Sequence, residues 1–259
     1  MFLVDSHCHL DKLNYKSLHK DVVDVLNKAN LKNVKLILAV ATTLEDFYKT
    51  RVMVSSYDNV LLSCGIHPLN FNNFQDLIDL NNLAIDEDII AIGETGLDYY
   101  HNTKDNKEEQ KEAFRQHIRI ARKYQKPLIV HTRNSSQDVI DIFLHEEKLG
   151  NCSGVIHCFN ESKDVLKLFL DIGFYISFSG IITFNLSKSL RDVIHYIPLD
   201  YLLVETDSPY LTPAPYRGQE NQPSYTYYVA NCLAKLKNMS LEKLSYITTE
   251  NFYRLFQIR

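Results

Sequence analysis

Two histidines stand one residue apart near the start of the chain, in the segment DSHCH at residues 5–9. If this segment is extended, His7 and His9 point to one face and Cys8 points to the other, because side chains alternate along a strand. Two neutral imidazoles on one face can bind a divalent metal ion. A lone H-x-H motif is only moderately specific, so it indicates a metal site without establishing one.

Five further apolar segments also end in a histidine or a carboxylate. The side chains concerned are His67, Glu94, His131, His157, and the pair Glu205 and Asp207. Taken singly, each has an ordinary structural explanation: Glu94 could cap a helix, and Asp207, which precedes Ser-Pro, could belong to a turn. Gathered at one place without a cation, four histidines and several carboxylates would bury costly polar groups. The joint pattern therefore favours a metal centre.

The types of these side chains narrow the choice of metal. Imidazole and carboxylate ligands without thiolate suit zinc, manganese, nickel, iron or magnesium, and four histidines argue against magnesium alone. Cys8 and Cys158 adjoin His7 and His157, but strand alternation turns both thiols to the opposite face. We therefore expect both cysteines to pack in the core.

The elements that must position these side chains follow from the pattern of apolar residues. Short apolar segments predict eight strands, near Phe2–Asp5, Val34–Val40, Val60–Gly65, Ile89–Gly93, Pro127–His131, Gly154–His157, Phe174–Ser179 and Tyr201–Glu205. Amphipathic segments predict helices at Lys107–Tyr124, Asp138–Leu144, Asp164–Leu170, Tyr225–Lys237 and Leu241–Phe256. The clearest of these helices carries Phe114, Ile118 and Ala121 on one face.

Strands that alternate with helices predict a parallel sheet with right-handed crossovers. Eight such units predict an α/β protein, a closed (β/α)8 TIM barrel forming a single domain over residues 1–259. A doubly wound open sheet is the alternative, but no glycine-rich phosphate-binding segment follows the first strand. In a barrel, the residues that end the strands gather at one mouth, and the histidines and carboxylates fall there.

Composition limits the class of protein further. The chain is 45% hydrophobic and 23% charged with a net charge of −4, which is typical of a globular protein and not of a disordered one. No apolar run approaches the roughly 18 residues of a membrane span, and the first residues do not resemble a signal peptide. Five cysteines without a C-x-x-C pair disfavour a disulfide framework, so we expect a cytoplasmic protein. A pI of about 6.2 argues against a surface for gripping long nucleic acid.

The chain resembles the TatD family of metal-dependent hydrolases in the amidohydrolase superfamily, and within it the bacterial YcfH-like branch. The resemblance covers essentially the whole chain. It is carried by FLVDSHCHLD at 2–11, CGIHPLN at 64–70, GETGLDYY at 93–100, KPLIVHTR at 126–133, GVIHCF at 154–159, GFYISFSGI at 173–181, LLVETDSPYL at 202–211 and RGQENQP at 217–223. In combination these motifs are highly specific.

The resemblance implies a TIM barrel with two divalent cations, which share Glu94 as a bridging ligand. One cation would be held by His7, His9, Glu94 and Asp207. The other would be held by Glu94, His131 and His157.

The groups present suggest roles in such a site. Two cations can activate water for attack on a phosphodiester or another ester-like centre, with Asp207 as general base and Glu94 as shared ligand. Glu205, two residues before Asp207, would orient a ligand histidine. Arg133 and His67 are candidate substrate-binding residues, because a guanidinium or an imidazole can contact phosphate. For both, a structural role is the open alternative.

Three tyrosines, Tyr99, Tyr100 and Tyr210, flank the candidate ligand motifs. Aromatic rings at such positions can stack on nucleic-acid bases. Because the chain has 16 tyrosines, we expect any one of these three to pack in the barrel wall instead.

Three functions are open at this stage. The first is a phosphodiesterase or deoxyribonuclease of exonuclease type, acting on nucleic-acid ends or short phosphodiester substrates, as the resemblance implies. The second keeps the metal site but hydrolyses an amide, ester or lactone, because ligands do not identify the scissile bond. The third is a non-catalytic barrel, which the complete ligand set argues against. We expect a monomer that has no membrane partner.

Overall fold

The structure, a computed structural model, describes residues 2–102 and 106–258. Eight parallel strands pair in chain order within one sheet. They are β1 Leu3–Cys8, β2 Val34–Val40, β3 Val60–Cys64, β4 Ile89–Asp98, β5 Leu128–Arg133, β6 Gly154–Ile156, β7 Tyr175–Phe178 and β8 Leu202–Val204. The α-helices are α1 Val22–Leu31, α2 Leu44–Val54, α3 Gln75–Leu83, α4 Lys107–Tyr124, α5 Ser136–Glu147, α6 Lys163–Asp171, α7 Lys188–Ile194, α8 Thr226–Leu236 and α9 Leu241–Phe256.

The first strand meets the end of the last one, which closes the sheet. Cys8 forms a parallel bridge with Ser208. The amide of Asp207 donates to the carbonyl of His7 at 2.9 Å, and the amide of His9 donates to the carbonyl of Ser208 at 2.8 Å. The predicted (β/α)8 barrel is therefore confirmed over the open-sheet alternative. The same bonds hold the H-x-H segment beside Asp207.

Three strands run further than the apolar pattern predicts. β1 ends at Cys8 instead of residue 5, β4 at Asp98 instead of residue 93, and β5 at Arg133 instead of residue 131. The added residues are mostly polar, but they continue the ladder between β4 and β5, in which Gly96 pairs with His131. Gly96 has a φ of 134°, and a Cβ there would collide with the His131 carbonyl oxygen. Glycine thus permits the close approach of these strands beside His131.

The predicted helices are confirmed within a few residues at each end, and α1, α2, α3 and α7 are found in addition. Side-chain caps begin several helices; Thr43 and Ser240, for example, accept hydrogen bonds from the amides of Asp46 and Lys243. Helix α2 is not predicted from the sequence, because the buried face of this helix includes Asp46 and Thr50. These polar residues break the apolar stripe that periodicity detects.

The barrel is closed at its amino end and open at its carboxyl end. Apolar side chains from the strands fill the interior together with three residues of α9: Phe252, Leu255 and Phe256. The side-chain amide Nδ2 of Asn251 in α9 donates to the backbone carbonyls of Leu199 and Leu202, at 2.7 and 2.9 Å. Because α9 plugs the amino end, the space for a ligand lies at the carboxyl ends of the strands.

A buried histidine of α4 supports the loop that follows β3. Nδ1 of His117 donates to the Ala113 carbonyl at 2.7 Å, and the amide of Ile66 donates to Nε2 of His117 at 3.1 Å. Burial lowers the pKa of His117 to about 4. A proton on Nε2 would remove the acceptor for Ile66, so the neutral ring fits the fold.

The contact between His117 and the amide of Ile66 predicts that the folded protein loses stability as the pH falls. The unfolded chain takes up the His117 proton near pH 6.5 and the folded chain only near pH 4, so the free energy of unfolding should fall across this window, by up to about 3 kcal/mol. In His117→Gln, the side-chain oxygen can accept from the amide of Ile66. The free energy of unfolding of this variant, measured by chemical denaturation at pH 7, 5.5 and 4.5, should therefore fall less with pH than that of the wild type. His195→Gln, at an exposed histidine, is the control. Identical pH profiles for the two variants would contradict the assignment.

Candidate metal centre

Two histidines at the end of β1 lie beside one oxygen of the Glu94 carboxylate, and Asp207, after β8, lies beside the same histidines. Oε2 of Glu94 lies 3.5 Å from Nε2 of His7 and 3.6 Å from Nε2 of His9. Oδ1 of Asp207 lies 3.7 and 3.4 Å from the same two nitrogens. The two imidazole nitrogens are themselves 3.3 Å apart. The structure thus brings together the first set of four candidate ligands.

The other oxygen of Glu94 faces a second set of imidazoles. Its Oε1 lies 2.8 Å from Nε2 of His157 and 3.1 Å from Nδ1 of His131. These two nitrogens are 3.3 Å apart. One carboxylate is therefore shared by two pairs of histidines, one on each oxygen, and all six predicted ligands meet at one mouth.

The outer nitrogens of these rings determine which inner nitrogens carry lone pairs. Nδ1 of His9 donates to the Val40 carbonyl at 2.8 Å, and Nε2 of His131 donates to Oδ2 of Asp98 at 3.1 Å. In the neutral rings, the inward nitrogens of His9 and His131 are therefore unprotonated. Nitrogen lone pairs that converge with two carboxylates are the donor set that a divalent cation takes, so these residues fit a metal.

Glu205 lies where it can orient His157. Its Oε1 is 3.6 Å from Nδ1 of His157 and accepts a hydrogen bond of 2.6 Å from the amide of Cys158. The carboxylate approaches the outer side of a candidate ligand, but Nδ1 of His157 has no hydrogen-bond partner within the described residues. The orienting role of Glu205 stays a prediction.

Burial and charge act against each other in this cluster. Burial alone would raise the pKa of the Glu94 carboxyl, but the surrounding imidazoles, His157 foremost, hold it well below its usual range. Burial alone would lower the pKa of His9, but Asp207 and Glu94 raise it to about 9. The pKa of His157 is raised in the same way by Glu94 and Glu205. Because histidine ligands must be neutral, a bound cation displaces these protons.

His67 differs from the other histidines of the mouth. Its Nε2 lies 3.5 Å from Oε1 of Glu94, and with His131 the three residues are close enough to hold an ion. However, Nδ1 of His67 accepts the amide proton of Leu69 at 3.2 Å, so in the neutral ring the proton lies on Nε2. Burial lowers the pKa of His67 to about 3. His67 is thus a neutral hydrogen-bond donor, which favours the predicted substrate contact over metal ligation.

A cavity of about 910 Å³ opens above the cluster. Its walls include Lys12, Asn70, Arg133, Asn160 and Tyr210. Nε of Arg133 is buried and has no hydrogen-bond partner in the part of the chain that the structure describes. Arg133 thus supplies a cation to the cavity wall, and its contact with substrate stays a prediction.

One of the two cysteine predictions is wrong. Cys8 is buried in the core, as expected, but Cys158 lines the cavity. β6 ends at Ile156, and Cys158 has a φ of 47°. Strand alternation does not apply to this residue, and its thiol instead lies 3.1 Å from the hydroxyl of Ser179.

The tyrosine prediction holds for one residue of three. Tyr99 is packed, and its hydroxyl donates to Asp138 at 2.7 Å. Tyr100 and Tyr210 are 62% and 54% exposed, so packing in the wall is wrong for them. Sequence reasoning also gave no role to Asp98, although it ends the segment that contains Glu94. Its position at the end of a strand, like that of the candidate ligands, was a usable signal.

A (β/α)8 barrel with histidines and carboxylates clustered at the carboxyl ends of its strands defines a metal-dependent hydrolase. The family model described as TatD related DNase matches residues 4–257. The chain belongs to the TatD family.

Individual relatives agree with this assignment. The chain is 55% identical over 258 residues to the uncharacterized metal-dependent hydrolase YcfH of Escherichia coli K12, covering 100% of this chain and 97% of the relative. It is 39% identical to the uncharacterized metal-dependent hydrolase YabD of Bacillus subtilis, over 99% of both chains. The crystal structure of YJJV, a TatD homologue from E. coli K12, superposes with a TM-score of 0.91 at 26% identity, covering 99% of this chain and 98% of that one. None of the helices within the described ranges has the length and hydropathy needed to span a bilayer.

The geometry of the cluster predicts that metal binding requires the Glu94 carboxylate. Protein purified without chelator should contain divalent transition metal by elemental analysis, and Glu94→Gln should lose most of it, because each oxygen of Glu94 faces one pair of imidazoles. Glu109→Gln, at an exposed position on α4, should keep the wild-type content. Full metal content in the Glu94→Gln variant would contradict a shared ligand.

Proposed function

We propose that this hydrolase is a two-metal phosphodiesterase, with deoxyribonuclease activity of exonuclease type. The observation that carries the proposal is the division of Glu94, with one oxygen near His7 and His9 and the other near His131 and His157. Such a division supplies ligands for two cations rather than one. The match to a family model described as TatD related DNase supports a nucleic-acid substrate.

The chain's own residues have distinct tasks in this proposal. A bound pair of divalent cations would supply activation of a water and neutralisation of charge on the phosphoryl group. Asp207, whose pKa the neighbouring His9 helps to keep below its ordinary value against burial, stays ionised and accepts the proton from the attacking water. Nε2 of His67 donates a hydrogen bond to the substrate phosphate, and the Arg133 guanidinium pairs with that phosphate.

The depth of the site favours strand ends over intact duplex. His7, His9 and Glu94 are each at most 4% exposed, so the reacting phosphate must enter the cavity to reach them. A paired nucleotide inside a duplex is held in the stack and reaches a recessed site only after extrusion. Tyr210, exposed at the rim, offers a face on which an unpaired base can stack.

Asp207→Asn tests the proposed base. Incubation of end-labelled single-stranded DNA with the wild-type protein and Mn²⁺ should give stepwise shortening on a denaturing gel. Asp207→Asn should reduce this rate by roughly 10²- to 10⁴-fold, the usual contribution of general base catalysis, with little change in melting temperature. Asp200→Asn, away from the cavity, is the control. A fully active Asp207→Asn enzyme would remove the base role.

The same assay, run beside panels of amides, esters and lactones, distinguishes the substrate classes. Intact DNA together with turnover of one of the panels would overturn the phosphodiesterase proposal in favour of another amidohydrolase reaction. Titration of chelator-treated protein should saturate at two equivalents of metal. Saturation at one equivalent would refute the two-metal part alone.

Arg133→Ala tests substrate binding. Removal of a charge-assisted hydrogen bond to phosphate should raise KM by roughly 10- to 100-fold, while metal content stays at the wild-type level. Arg133→Lys should recover part of the loss, since it restores the charge without the planar fork. Arg254→Ala, exposed on α9 at the opposite end of the barrel, should leave KM unchanged. An unchanged KM in Arg133→Ala would leave Arg133 with only a structural role.

A further inference from the structure

Asp98, the last residue of β4, is a buried carboxylate that takes hydrogen bonds from two directions. On one side, Nε2 of the candidate ligand His131 donates to Oδ2 at 3.1 Å. On the other side lies the turn that follows β4. There, the amides of Tyr100 and His101 donate to Oδ1 at 3.0 and 2.8 Å, and Nδ1 of His101 donates to Oδ2 at 3.0 Å.

The backbone of Asp98 is fixed independently of these contacts. Its amide donates to Oε1 of Gln110 at 3.0 Å, and its carbonyl accepts from Nε2 of Gln110 at 3.3 Å. Gln110 is fully buried in α4. Asp98 also pairs with Arg133 in the ladder between β4 and β5. The carboxylate is therefore a rigid point from which the side chains on either side are oriented.

The turn held by Asp98 forms part of the cavity. The side chain of His101 is 57% exposed and lines the cavity. The ring of Tyr100 lies 5.1 Å from the guanidinium of Arg133. One carboxylate thus contacts a candidate metal ligand and orders the wall on which substrate would lie.

We propose that Asp98 is a positioning residue that sets metal affinity through His131 and substrate affinity through His101. An anionic acceptor on Nε2 of His131 fixes the tautomer whose Nδ1 lone pair faces the centre and makes that nitrogen a better donor to a metal. The same carboxylate fixes the ring of His101 at the cavity wall. When that ring carries protons on both nitrogens, Nε2 can donate to a phosphate. The second half rests on the proposed function, whereas the first half does not.

The chemistry of an amide shows why Asp98→Asn is informative. An asparagine has one acceptor oxygen and an NH₂ group that only donates. Four donors point at Asp98, two backbone amides at Oδ1 and two imidazole nitrogens at Oδ2. An asparagine therefore leaves one of these two pairs facing its NH₂ group. The substitution keeps the size of the side chain and removes its charge.

The test is a metal titration of the full chain after chelator treatment, with Mn²⁺ or Zn²⁺ followed by calorimetry. Asp98→Asn should weaken metal binding by roughly 10- to 100-fold, the usual effect of losing a partner of a ligand histidine. Asp138→Asn is the matched control, because Asp138 accepts from Tyr99 and pairs with Lys111 but is not a candidate ligand or a partner of one. A folded Asp98→Asn protein with affinity within about twofold of wild type would overturn the proposal.

Two further measurements keep the proposal testable if Asp98→Asn does not fold. In the metal-loaded wild-type protein, imidazole ¹⁵N NMR should place the His131 proton on Nε2, and a proton on Nδ1 would overturn the metal half. His101→Ala should leave metal affinity unchanged and raise KM for the labelled single strand roughly 10-fold. An unchanged KM would overturn the substrate half. If the wild-type protein binds metal but leaves DNA intact, the proposed function fails while the metal titration of Asp98→Asn still decides the first half.

Discussion

The mouth of the barrel depends on the sharing of one buried carboxylate. Glu94 places one oxygen near His7 and His9 and the other near His131 and His157. A charge in this position would be very costly if it were alone, since burial disfavours ionisation. The imidazoles hold it ionised, and the extended β4, which Gly96 allows to lie against β5, brings it to them.

The outer sides of the histidine rings face groups from other elements of the barrel. The Val40 carbonyl, Asp98 and Glu205 approach the outer nitrogens of His9, His131 and His157. They come from β2, β4 and the segment after β8. The ring of His7 instead stacks on that of His157, with centroids 4.1 Å apart. Each ring is therefore oriented by an element other than its own, which makes the geometry of the cluster a property of the closed barrel.

The cavity above the cluster has different chemistry on its two sides. Arg133 and His101 lie on the side of β4 and β5, whereas Tyr210 lies after β8, with its ring 6.0 Å from that of His9. Asn221 fixes the backbone around Tyr210 by donating to the carbonyls of Thr206 and Tyr210, at 2.8 and 2.6 Å. Under the proposed function, an aromatic face on one side of the cavity and nitrogen-bearing side chains on the other would suit a ligand with both a ring and a phosphate. This asymmetry follows from which loops carry which residues on an otherwise regular barrel.

The sequence by itself determined the barrel, because apolar periodicity reports strands and helices. It also marked the histidines and carboxylates at the strand ends, and the resemblance to a known family implied which of them are ligands. The sequence did not determine how far β4 runs, because each residue pair of the ladder beyond Gly93 includes at least one polar residue, and these interrupt the apolar pattern. For the same reason the role of Asp98 stayed hidden: its partners His131 and Gln110 lie on β5 and α4, and only folding brings them together. Cys158 was placed wrongly because alternation presumes an extended backbone, and its φ of 47° turns the thiol toward the cavity. The tertiary structure alone decided which nitrogen of each histidine faces the centre, since that choice is made by carbonyls and carboxylates distant in the chain.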